Sequence, residues 1–260
     1  MKYYLGFDIG NTQTVIGIFR DNKLINNWRI DTIKERGADE YISIINGFFR
    51  KINISPKEIG AFIICNVVPQ TRKTVNDFSL KYLNIRPIEV GVNLNLGIKI
   101  SIDNPRELGA DRIANAVASF EEYKGPVIII DFGTATTYDC ISKKGEYLGG
   151  IILPGLKISA EALYLKTAKL PKVEIKKPTR LIGRNTIDGI NSGLIYGTIF
   201  QTEGIIAGLK KELKPSGDIK VISTGGLSGL VYKDIKCIDG NDPFLTLKGI
   251  RLILEKNMDK

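Results

Sequence analysis

The sequence contains no histidine, and its three cysteines, Cys65, Cys140 and Cys237, form no CxxC pair. Structural zinc sites built from cysteine and histidine are therefore excluded, as is catalysis by a histidine base or a histidine-containing triad. Three separated cysteines also provide no disulfide framework. This cysteine usage favours a reducing compartment and predicts a cytoplasmic protein.

Long apolar runs and two common nucleotide motifs are missing as well. No run reaches the roughly 18 apolar residues of a membrane helix, so no association with a membrane is expected. The first eight residues already belong to a candidate binding motif, which leaves no room for a secretory signal. The sequence has no Gly-Lys pair, which excludes a P-loop, and no GxGxxG, which argues against a dinucleotide-binding fold and a protein kinase.

The chain has 260 residues, 43% of them hydrophobic, and a formal net charge of +9 at pH 7. This length suits one large or two small domains, and the apolar fraction can supply a core for either. The positive residues are scattered as single residues or pairs, without a dense basic patch or interleaved aromatics. No dedicated nucleic-acid binding is therefore expected, although a basic surface is compatible with an anionic nucleotide substrate.

One motif occurs twice, half a chain apart. Both YYLGFDIGNTQTV near the N-terminus and VIIIDFGTATTYD in the middle contain apolar residues, then an aspartate, then a glycine two residues later. Aligned residues 123 positions apart are Asp8 with Asp131, Gly10 with Gly133, Asn11 with Thr134, and Thr14 with Thr137. The repetition indicates a duplicated domain with a ligand between the two halves.

Hydrophobic periodicity predicts the order β-β-β-α at the start of the first half. The predicted strands are residues 3–7, 14–20, 24–30, 61–65 and 87–90, and the predicted helices are 38–52, 70–83 and 111–123. The sequence Lys-Gly-Pro at 124–126 marks a helix end and a boundary. It divides the chain into an N-terminal domain of residues 1–124 and a C-terminal domain of residues 125–260.

The second half again opens with three strands, predicted at residues 127–130, 136–142 and 146–153. A helix to about residue 169, a charged loop at 171–180, a helix at 186–213, a strand at 219–223 and a helix at 243–256 follow. The helix at 186–213 contains five glycines, each costing about 1 kcal/mol relative to alanine. We interpret them as positions of close packing.

The two repeated turns have the chemistry of a phosphate site. A glycine lets backbone approach a ligand, and successive N–H groups with Asn and Thr side chains can surround phosphate oxygens. Asp8 cannot face bare phosphates without repulsion, so its natural role is to hold Mg²⁺ that bridges them. The alternative is a polar hairpin whose side chains satisfy their own turn, and the second copy argues against it. The sequence Thr-Gly-Gly at 224–226 could also allow a base or ribose close to the backbone.

Phosphoryl transfer to a hydroxyl needs a proton acceptor, and the candidate is Asp111 in the sequence Gly-Ala-Asp-Arg at 109–112. It lies at the predicted start of a helix. An N-cap role, worth about 1 kcal/mol, explains an aspartate there as well as catalysis does. The neighbouring Arg112 could bind a substrate carboxylate or simply form an ion pair.

Seven segments together resemble the type III pantothenate kinase family. In chain order they are DIGNTQTV at 8–15, DNPRELGADR at 103–112, IDFGTATTYD at 130–139, GGIILPGLKISAEAL at 149–163, GRNTIDGINSGLIYG at 183–197, STGG at 223–226 and DPFLTLKGI at 242–250. The resemblance covers nearly the whole chain. It implies an α/β fold of two ribonuclease H-like, actin-like ATPase domains, with the active site in the cleft between them.

The resemblance also implies roles for individual positions. The residues that contact ATP are Asp8, Ile9, Gly10, Asn11, Thr12, Gln13, Thr14, Val15 and Thr134. The residues that contact pantothenate are Gly109, Ala110, Asp111, Arg112, Thr186 and the residue at position 102. Asp111 accepts the proton, Asp131 holds K⁺ or ammonium, and Asp8 lies near the Mg²⁺ that accompanies ATP.

The activity that the resemblance implies is ATP-dependent phosphorylation of pantothenate, the first step of coenzyme A synthesis, by a homodimer. Many family members have tyrosine at the position of Ile102, which cannot supply a phenolic hydrogen bond. Two alternatives are a kinase of the same superfamily acting on another small hydroxyl compound, and a nucleotide-binding accessory transcriptional regulator of the same family. Intact Gly-Ala-Asp-Arg and both phosphate turns argue against lost catalysis.

Overall fold

The computed structural model describes residues 2–213 and 218–258 of the chain. Contacts between Cα atoms divide the chain into two compact units. Unit 1 comprises Met1–Gly97, Asp103–Ala118 and Leu245–Lys260, and unit 2 comprises Ile98–Ile102 and Ser119–Phe244. Within the described residues, no helix combines the length and hydropathy needed to cross a membrane.

The sheet of unit 1 has five strands in the order β3-β2-β1-β4-β5. These strands are β1 (Tyr3–Ile9), β2 (Gln13–Arg20), β3 (Lys23–Asp31), β4 (Ile59–Asn66) and β5 (Ile88–Glu89). The first three are antiparallel neighbours, whereas β4 runs parallel to β1 and β5 runs parallel to β4.

The sheet of unit 2 repeats this arrangement and adds one strand at its edge. Its order is β11-β10-β7-β8-β9-β6. The strands are β6 (Lys99–Ile100), β7 (Val127–Phe132), β8 (Ala135–Ile141), β9 (Glu146–Pro154), β10 (Lys220–Thr224) and β11 (Gly240–Asn241). Strands β7, β8 and β9 are antiparallel neighbours, β10 is parallel to β7, and β11 is parallel to β10. Each unit therefore has the ribonuclease H-like order, which confirms the predicted fold class.

Helices follow the strands as hydrophobic periodicity predicts. They are α1 (Ala38–Lys51), α2 (Arg72–Phe78), α3 (Ala110–Tyr123), α4 (Leu156–Lys166), α5 (Thr186–Leu213) and α6 (Leu245–Asn257). In α1, Tyr41, Ile45 and Phe49 repeat every four residues and are buried. Its first turn is acidic and its last turn is basic, which complements the helix dipole.

The differences from the predicted elements are local. After α2 the chain continues as a π-helical segment, Ser79–Leu83, where the sequence predicts one helix throughout. The short strands β6 and β11 are not predicted, because two residues are too few to establish a period. Helix α4 ends at Lys166, three residues earlier than expected, and an irregular segment leads to α5.

The pairing register corrects one part of the internal alignment. Ile9 pairs with Thr14 across the first turn, whereas Phe132 pairs with Thr136 across the second. The second turn is thus one residue shorter, so Thr136, and not Thr137, is the structural counterpart of Thr14. Both threonines are buried, at 0% and 5% exposure. A one-residue slip reverses the face of every later side chain, and a constant sequence offset cannot detect it.

The compact units differ from the contiguous division at residue 124. Helix α6 belongs to unit 1 although it ends the chain, and the boundary within α3 follows Ala118. The physical reason lies in two facing glycines, Gly6 and Gly17, which pair across β1 and β2. Side chains of α6 come close to both, since a Cβ on either would lie 3.1 Å from Ile250 or Leu247. This packing places α6 on the first sheet.

Aromatic rings fill the core of unit 1. Phe7 on β1 contacts Phe62 edge to face with centroids 4.8 Å apart, and lies 5.9 Å from Phe78 in a stacked arrangement. Such pairs add about 0.5–1.5 kcal/mol beyond the area that they bury. In unit 2 the core lies between the sheet and α5, and it includes a buried hydrogen bond of 2.8 Å between the hydroxyls of Tyr138 and Thr202.

The structure corrects the interpretation of the α5 glycines as close-packing positions within the chain. These exposed glycines are Gly189, Gly193, Gly197, Gly204 and Gly208. A Cβ at any of them would meet no atom of the described residues within 4 Å. Their spacing of mostly four residues places them along one side of the helix.

Gly249 of α6 is the opposite case, and its substitution should destabilise the protein. It is buried, and a Cβ there would overlap the backbone carbonyl of Ala114 in α3. We expect Gly249→Ala to lower the free energy of unfolding by about 1–3 kcal/mol through overpacking. Chemical denaturation measures this change.

The matched control is Gly47→Ala in α1, an exposed helical glycine with open space around it. It should raise the free energy of unfolding by about 1 kcal/mol through helix propensity alone. Equal effects of the two variants would contradict the close packing of α6 on α3.

Candidate active site

The first predicted phosphate turn lies between β1 and β2. The N–H of Gly10 donates to the carbonyl of Gln13 at 3.0 Å and closes the turn. A Cβ on Gly10 would lie 3.1 Å from the same carbonyl, which explains the glycine. Asn11, Thr12 and Gln13 are exposed at the tip. Their backbone and side-chain donors can therefore reach a ligand.

The flanking residues of this turn divide into two groups. Ile9 and Thr14 are buried, so only their backbone could reach ATP. The Thr14 hydroxyl lies 2.9 Å from that of Thr32. Asp8 and Val15 are half-buried and pair across the two strands. Eight residues of this segment are predicted to contact ATP. The side chains of Asp8 and of the three tip residues are at least partly exposed, whereas those of Ile9 and Thr14 lie in the core.

The second turn, between β7 and β8, is held in place by close backbone approach. The N–H of Gly155 donates to the carbonyl of Thr134 at 3.2 Å. A Cβ on Gly155 would overlap the carbonyls of both Gly133 and Thr134. The Thr134 side chain is exposed, as a phosphate contact requires. No role is predicted for Gly155 from the sequence, although its position in the sequence Leu-Pro-Gly is a signal for a required glycine.

The sequence Thr-Gly-Gly at 224–226 completes this part of unit 2. Thr224 pairs with Asp131 at the parallel ends of β10 and β7. Gly225 has a φ of +94°, and a Cβ there would overlap both the Asp131 carboxylate and the backbone of Phe132. Glycine is therefore needed at 225 for two reasons, the backbone angle and the space. The carboxylate lies among backbone carbonyls and glycines.

The surroundings of Asp131 fit a hard monovalent cation. The oxygens nearest to where a Cβ on Gly133 or Gly225 would lie are those of the Asp131 carboxylate and of the Phe132 and Ala135 carbonyls. These two carbonyls also accept backbone N–H groups, from Leu227 and Gly133. Carboxylate and carbonyl oxygens are the ligands that hard cations prefer, and carbonyl oxygens replace the water shell of K⁺ in selective channels. Asp8 near the end of β1 is the carboxylate predicted to lie near Mg²⁺, which proteins usually hold through one or two carboxylates beside substrate phosphates.

The sequence Gly-Ala-Asp-Arg at 109–112 forms the start of α3. The helix begins at Ala110, and the N–H of Ile113 donates to the carbonyl of Gly109 at 3.0 Å. Asp111 is therefore in the first turn and not at the N-cap, and an acidic side chain in this turn also interacts favourably with the helix dipole. Its Oδ1 accepts the backbone N–H of Arg112 at 2.8 Å.

The carboxyl of Asp111 has a shifted pKa. Burial raises this pKa above its usual value, opposed by the N–H and the positive charge of Arg112. Burial disfavours the charged form of a carboxyl, and a base with a raised pKa holds a proton more readily. A raised pKa is compatible with the proton-acceptor role predicted for Asp111.

Two further predicted substrate contacts lie in unit 2. Thr186 is the exposed first residue of α5. The preceding Asn185 accepts the N–H of Asp188 at 2.9 Å and donates to its carboxylate at 2.8 Å, which caps the helix. Ile102 follows β6, and its Cγ2 lies 3.7 Å from where a Cβ on Gly149 would be. Its side chain is apolar where a tyrosine would offer a hydroxyl.

The predicted site residues are shared between the two units. Unit 1 contains the segment 8–15 and residues 109–112, and unit 2 contains Ile102, Asp131, Thr134 and Thr186.

Comparison with known proteins identifies the family. The sequence model of the type III pantothenate kinase family matches residues 4–208. A type III pantothenate kinase of Myxococcus xanthus is 43% identical over 97% of this chain and 98% of its own. One from Syntrophobacter fumaroxidans is 46% identical over 97% of this chain and 98% of its own.

Solved structures agree with the fold. A Campylobacter jejuni protein described as a Baf family transcriptional activator has a TM-score of 0.57 at 21% identity, over 97% of this chain and 98% of that one. A Sinorhizobium meliloti protein described as a 2-dehydro-3-deoxygalactonokinase has a TM-score of 0.57 at 12% identity, over the same shares. At these identities the likeness concerns the fold alone. The full-length sequence relatives and the family match establish that the chain belongs to the type III pantothenate kinase family.

Proposed function

We propose that this protein transfers the γ-phosphoryl group of ATP to the primary hydroxyl of pantothenate, forming 4'-phosphopantothenate in the first step of coenzyme A synthesis. The observation that carries the proposal is Asp111, a half-buried carboxyl whose pKa is raised by desolvation, in the first turn of α3 within the family's Gly-Ala-Asp-Arg sequence. Family membership supports the choice of substrate.

The phosphates of ATP bind at the two hairpin turns. Gly10 and the exposed residues Asn11, Thr12 and Thr134 supply the contacts to phosphate oxygens. Mg²⁺ near Asp8 and K⁺ or ammonium at Asp131 neutralise phosphate charge when they are bound. Because phosphoryl transfer needs positioning and charge stabilisation more than covalent help, these turns carry much of the catalysis.

Asp111 accepts the proton during transfer. The hydroxyl oxygen of pantothenate forms a bond to the γ-phosphorus, the bond from that phosphorus to the bridging oxygen breaks, and ADP leaves with the electron pair. The hydroxyl proton passes to the Asp111 carboxylate. Arg112 next to it can bind the carboxylate of pantothenate, since guanidinium groups bind carboxylates through two parallel hydrogen bonds.

ADP release separates this proposal from a kinase with another substrate. Purified protein with ATP and Mg²⁺ should release ADP in the presence of pantothenate and not with sugars or acetate. The same assay in K⁺ and Na⁺ buffers tests the cation. ADP release with a sugar but not with pantothenate would contradict the proposed substrate and leave the kinase fold intact.

Asp111→Asn should fold and bind ATP but lose turnover. A positioned base contributes about 10²–10⁴ in rate, so kcat should fall by at least the lower factor. The control is Asp77→Asn, which removes an exposed carboxylate of α2. Steady-state kinetics with pantothenate measure both variants, and near-normal turnover of Asp111→Asn would refute the role of this residue.

The raised pKa of Asp111 also predicts how stability changes with pH. In the folded protein its carboxyl binds a proton more tightly than in the unfolded chain, so it stabilises the fold only at low pH. That contribution is complete below the unfolded pKa of about 3.9 and is lost as pH rises through the folded pKa. Asp111→Asn should therefore raise Tm at pH 7, and the difference should narrow towards pH 4. Thermal denaturation of both proteins across this range measures it, and parallel pH profiles would refute the effect of burial.

We also propose that the protein is a homodimer, with α4 and α5 in the interface. Large exposed apolar side chains of unit 2 support this, and those on α4 and α5 are Ile158, Leu163, Tyr164, Leu165, Ile187 and Phe200. The five exposed glycines of α5 lie in open space and lower helix stability. Small residues along one helix side allow a second helix to approach closely, which explains their presence.

Gly197→Leu should separate oligomerisation from folding. The new side chain meets open space within the chain, and leucine favours a helix more than glycine does, so the subunit should remain folded. The bulk should instead prevent close helix approach and weaken the dimer by at least about tenfold in Kd, equivalent to about 1.4 kcal/mol. Sedimentation velocity over a concentration series measures this constant.

Gly47→Leu in α1 is the matched control, because it is also an exposed helical glycine in open space. It should leave association unchanged. A Gly197→Leu protein that associates as wild type does would refute the α5 interface.

We place the protein in the cytoplasm, where its substrates ATP and pantothenate are available. All three cysteines are free thiols, which suits a reducing compartment.

A further inference from the structure

A line of polar side chains crosses the sheet of unit 2 towards the strand that carries Asp131. Tyr147 of β9 donates its hydroxyl to Asp139 Oδ1 at 2.5 Å. Thr137 of β8 donates its hydroxyl to the other carboxylate oxygen of Asp139 at 3.3 Å. Thr137 in turn pairs directly with Asp131 across β8 and β7. Hydrogen bonds thus link Tyr147, Asp139 and Thr137, and Thr137 lies opposite the candidate cation ligand in the strand register.

These side chains share one face of the sheet. Residues two apart on a strand, and residues directly opposite on a neighbouring strand, point to the same side. Tyr138 and Cys140 point to the other side and join the core against α5. The polar line is therefore separate from the core of unit 2.

Burial makes Asp139 an expensive residue for a purely structural role. Its side chain is 0% exposed, and that of Tyr147 is 1% exposed. Taking a carboxylate out of water costs several kcal/mol before its hydrogen bonds and charge pairing offset the loss, and an apolar replacement often avoids the cost. A carboxylate at this buried position therefore suggests that its hydrogen-bond acceptor oxygens have a specific role.

The hydrogen bond from Thr137 to Asp139 indicates what this role is. A threonine hydroxyl has one proton and two acceptor lone pairs. Because its proton points to Asp139, its lone pairs are available to its other neighbours. Side chains directly opposite in an antiparallel pair have Cβ atoms about 4.5–5.5 Å apart, and the residue directly opposite Thr137 on β7 is Asp131. Thr137 is half-buried, while Asp139 behind it is not accessible.

We propose that Thr137 supplies a neutral oxygen ligand to the monovalent cation at Asp131, and that Asp139 and Tyr147 are positioning residues that hold its hydroxyl as an acceptor. This rests on the proposed cation site at Asp131. It extends that site by one ligand and by the two residues that orient it.

The chain offers a close control for each variant. Thr137→Val removes the hydroxyl at similar volume, and Thr137→Ser keeps it. Tyr147→Phe removes the buried donor to Asp139. Tyr138→Phe removes a buried tyrosine hydroxyl on the opposite face, where it bonds to Thr202, and should disturb packing to a similar extent.

The test measures K⁺ dependence by two methods. The Tm of the protein without substrates is followed as KCl replaces NaCl at constant ionic strength, since a cation that binds only the folded state raises Tm. The K⁺ concentration for half-maximal ADP release is measured separately. Thr137→Val and Tyr147→Phe should each need about tenfold more K⁺ in both assays, a typical effect of losing a group in or next to a metal's ligand shell. Thr137→Ser and Tyr138→Phe should match wild type.

Each contrary result would overturn one specific part of the proposal. Thr137→Val with a wild-type K⁺ midpoint excludes the hydroxyl as a ligand. Tyr147→Phe that behaves like Tyr138→Phe excludes the positioning role. A wild-type protein that responds to K⁺ in neither assay removes the cation site and this proposal with it, whereas pantothenate-dependent ADP release in that protein would still support the kinase function.

Discussion

The close approach of bare backbone around the second hairpin turn is the constraint on which the site in unit 2 depends. Gly155 lies against the carbonyls of Gly133 and Thr134, and Gly225 lies against the Asp131 carboxylate, at separations that admit no side chain. Three separate parts of the chain thus meet at one point, namely residues 131–134, Gly155 and Gly225. The packed backbone fixes the position of the Asp131 carboxylate. Fixing it with long side chains would cost conformational entropy, because those side chains would lose rotamer freedom.

Asp111, Asp131 and Asp139 differ in what surrounds their carboxyl groups, and each environment suits a different role. Asp111 is half-buried at a helix start, and desolvation raises its pKa, which suits a group that accepts a proton. Asp131 lies among oxygens and glycines, which suits a cation. Asp139 is fully buried and accepts hydrogen bonds from two hydroxyl groups, which suits a group that orients its neighbours. Buried carboxylates lower the free energy of unfolding, and active sites commonly contain such destabilising residues because function requires them.

The two units repeat one topology but differ at the turn. The register shows that the second turn is one residue shorter, so that Thr136 replaces Thr14 in the core and Thr137 shares a face with Asp131. The shorter turn is what lets a threonine hydroxyl lie beside the second aspartate. In the first unit the residue opposite Asp8 is Val15, which has no hydroxyl. A difference of one residue in turn length therefore places different side chains opposite the aspartates of two otherwise similar hairpins.

Local sequence determined much of this protein. Alternating and helical apolar patterns predicted the strands and helices, the repeated aspartate and glycine predicted two hairpin turns, and the Gly-Ala-Asp-Arg sequence located Asp111, because each of these signals lies within a few consecutive residues. Tertiary structure alone decided the rest. The return of α6 to the first sheet, the need for glycine at 155 and 225, and the link from Tyr147 to Thr137 depend on residues far apart in the chain. Such contacts follow from pairing register and packing, which no local pattern specifies.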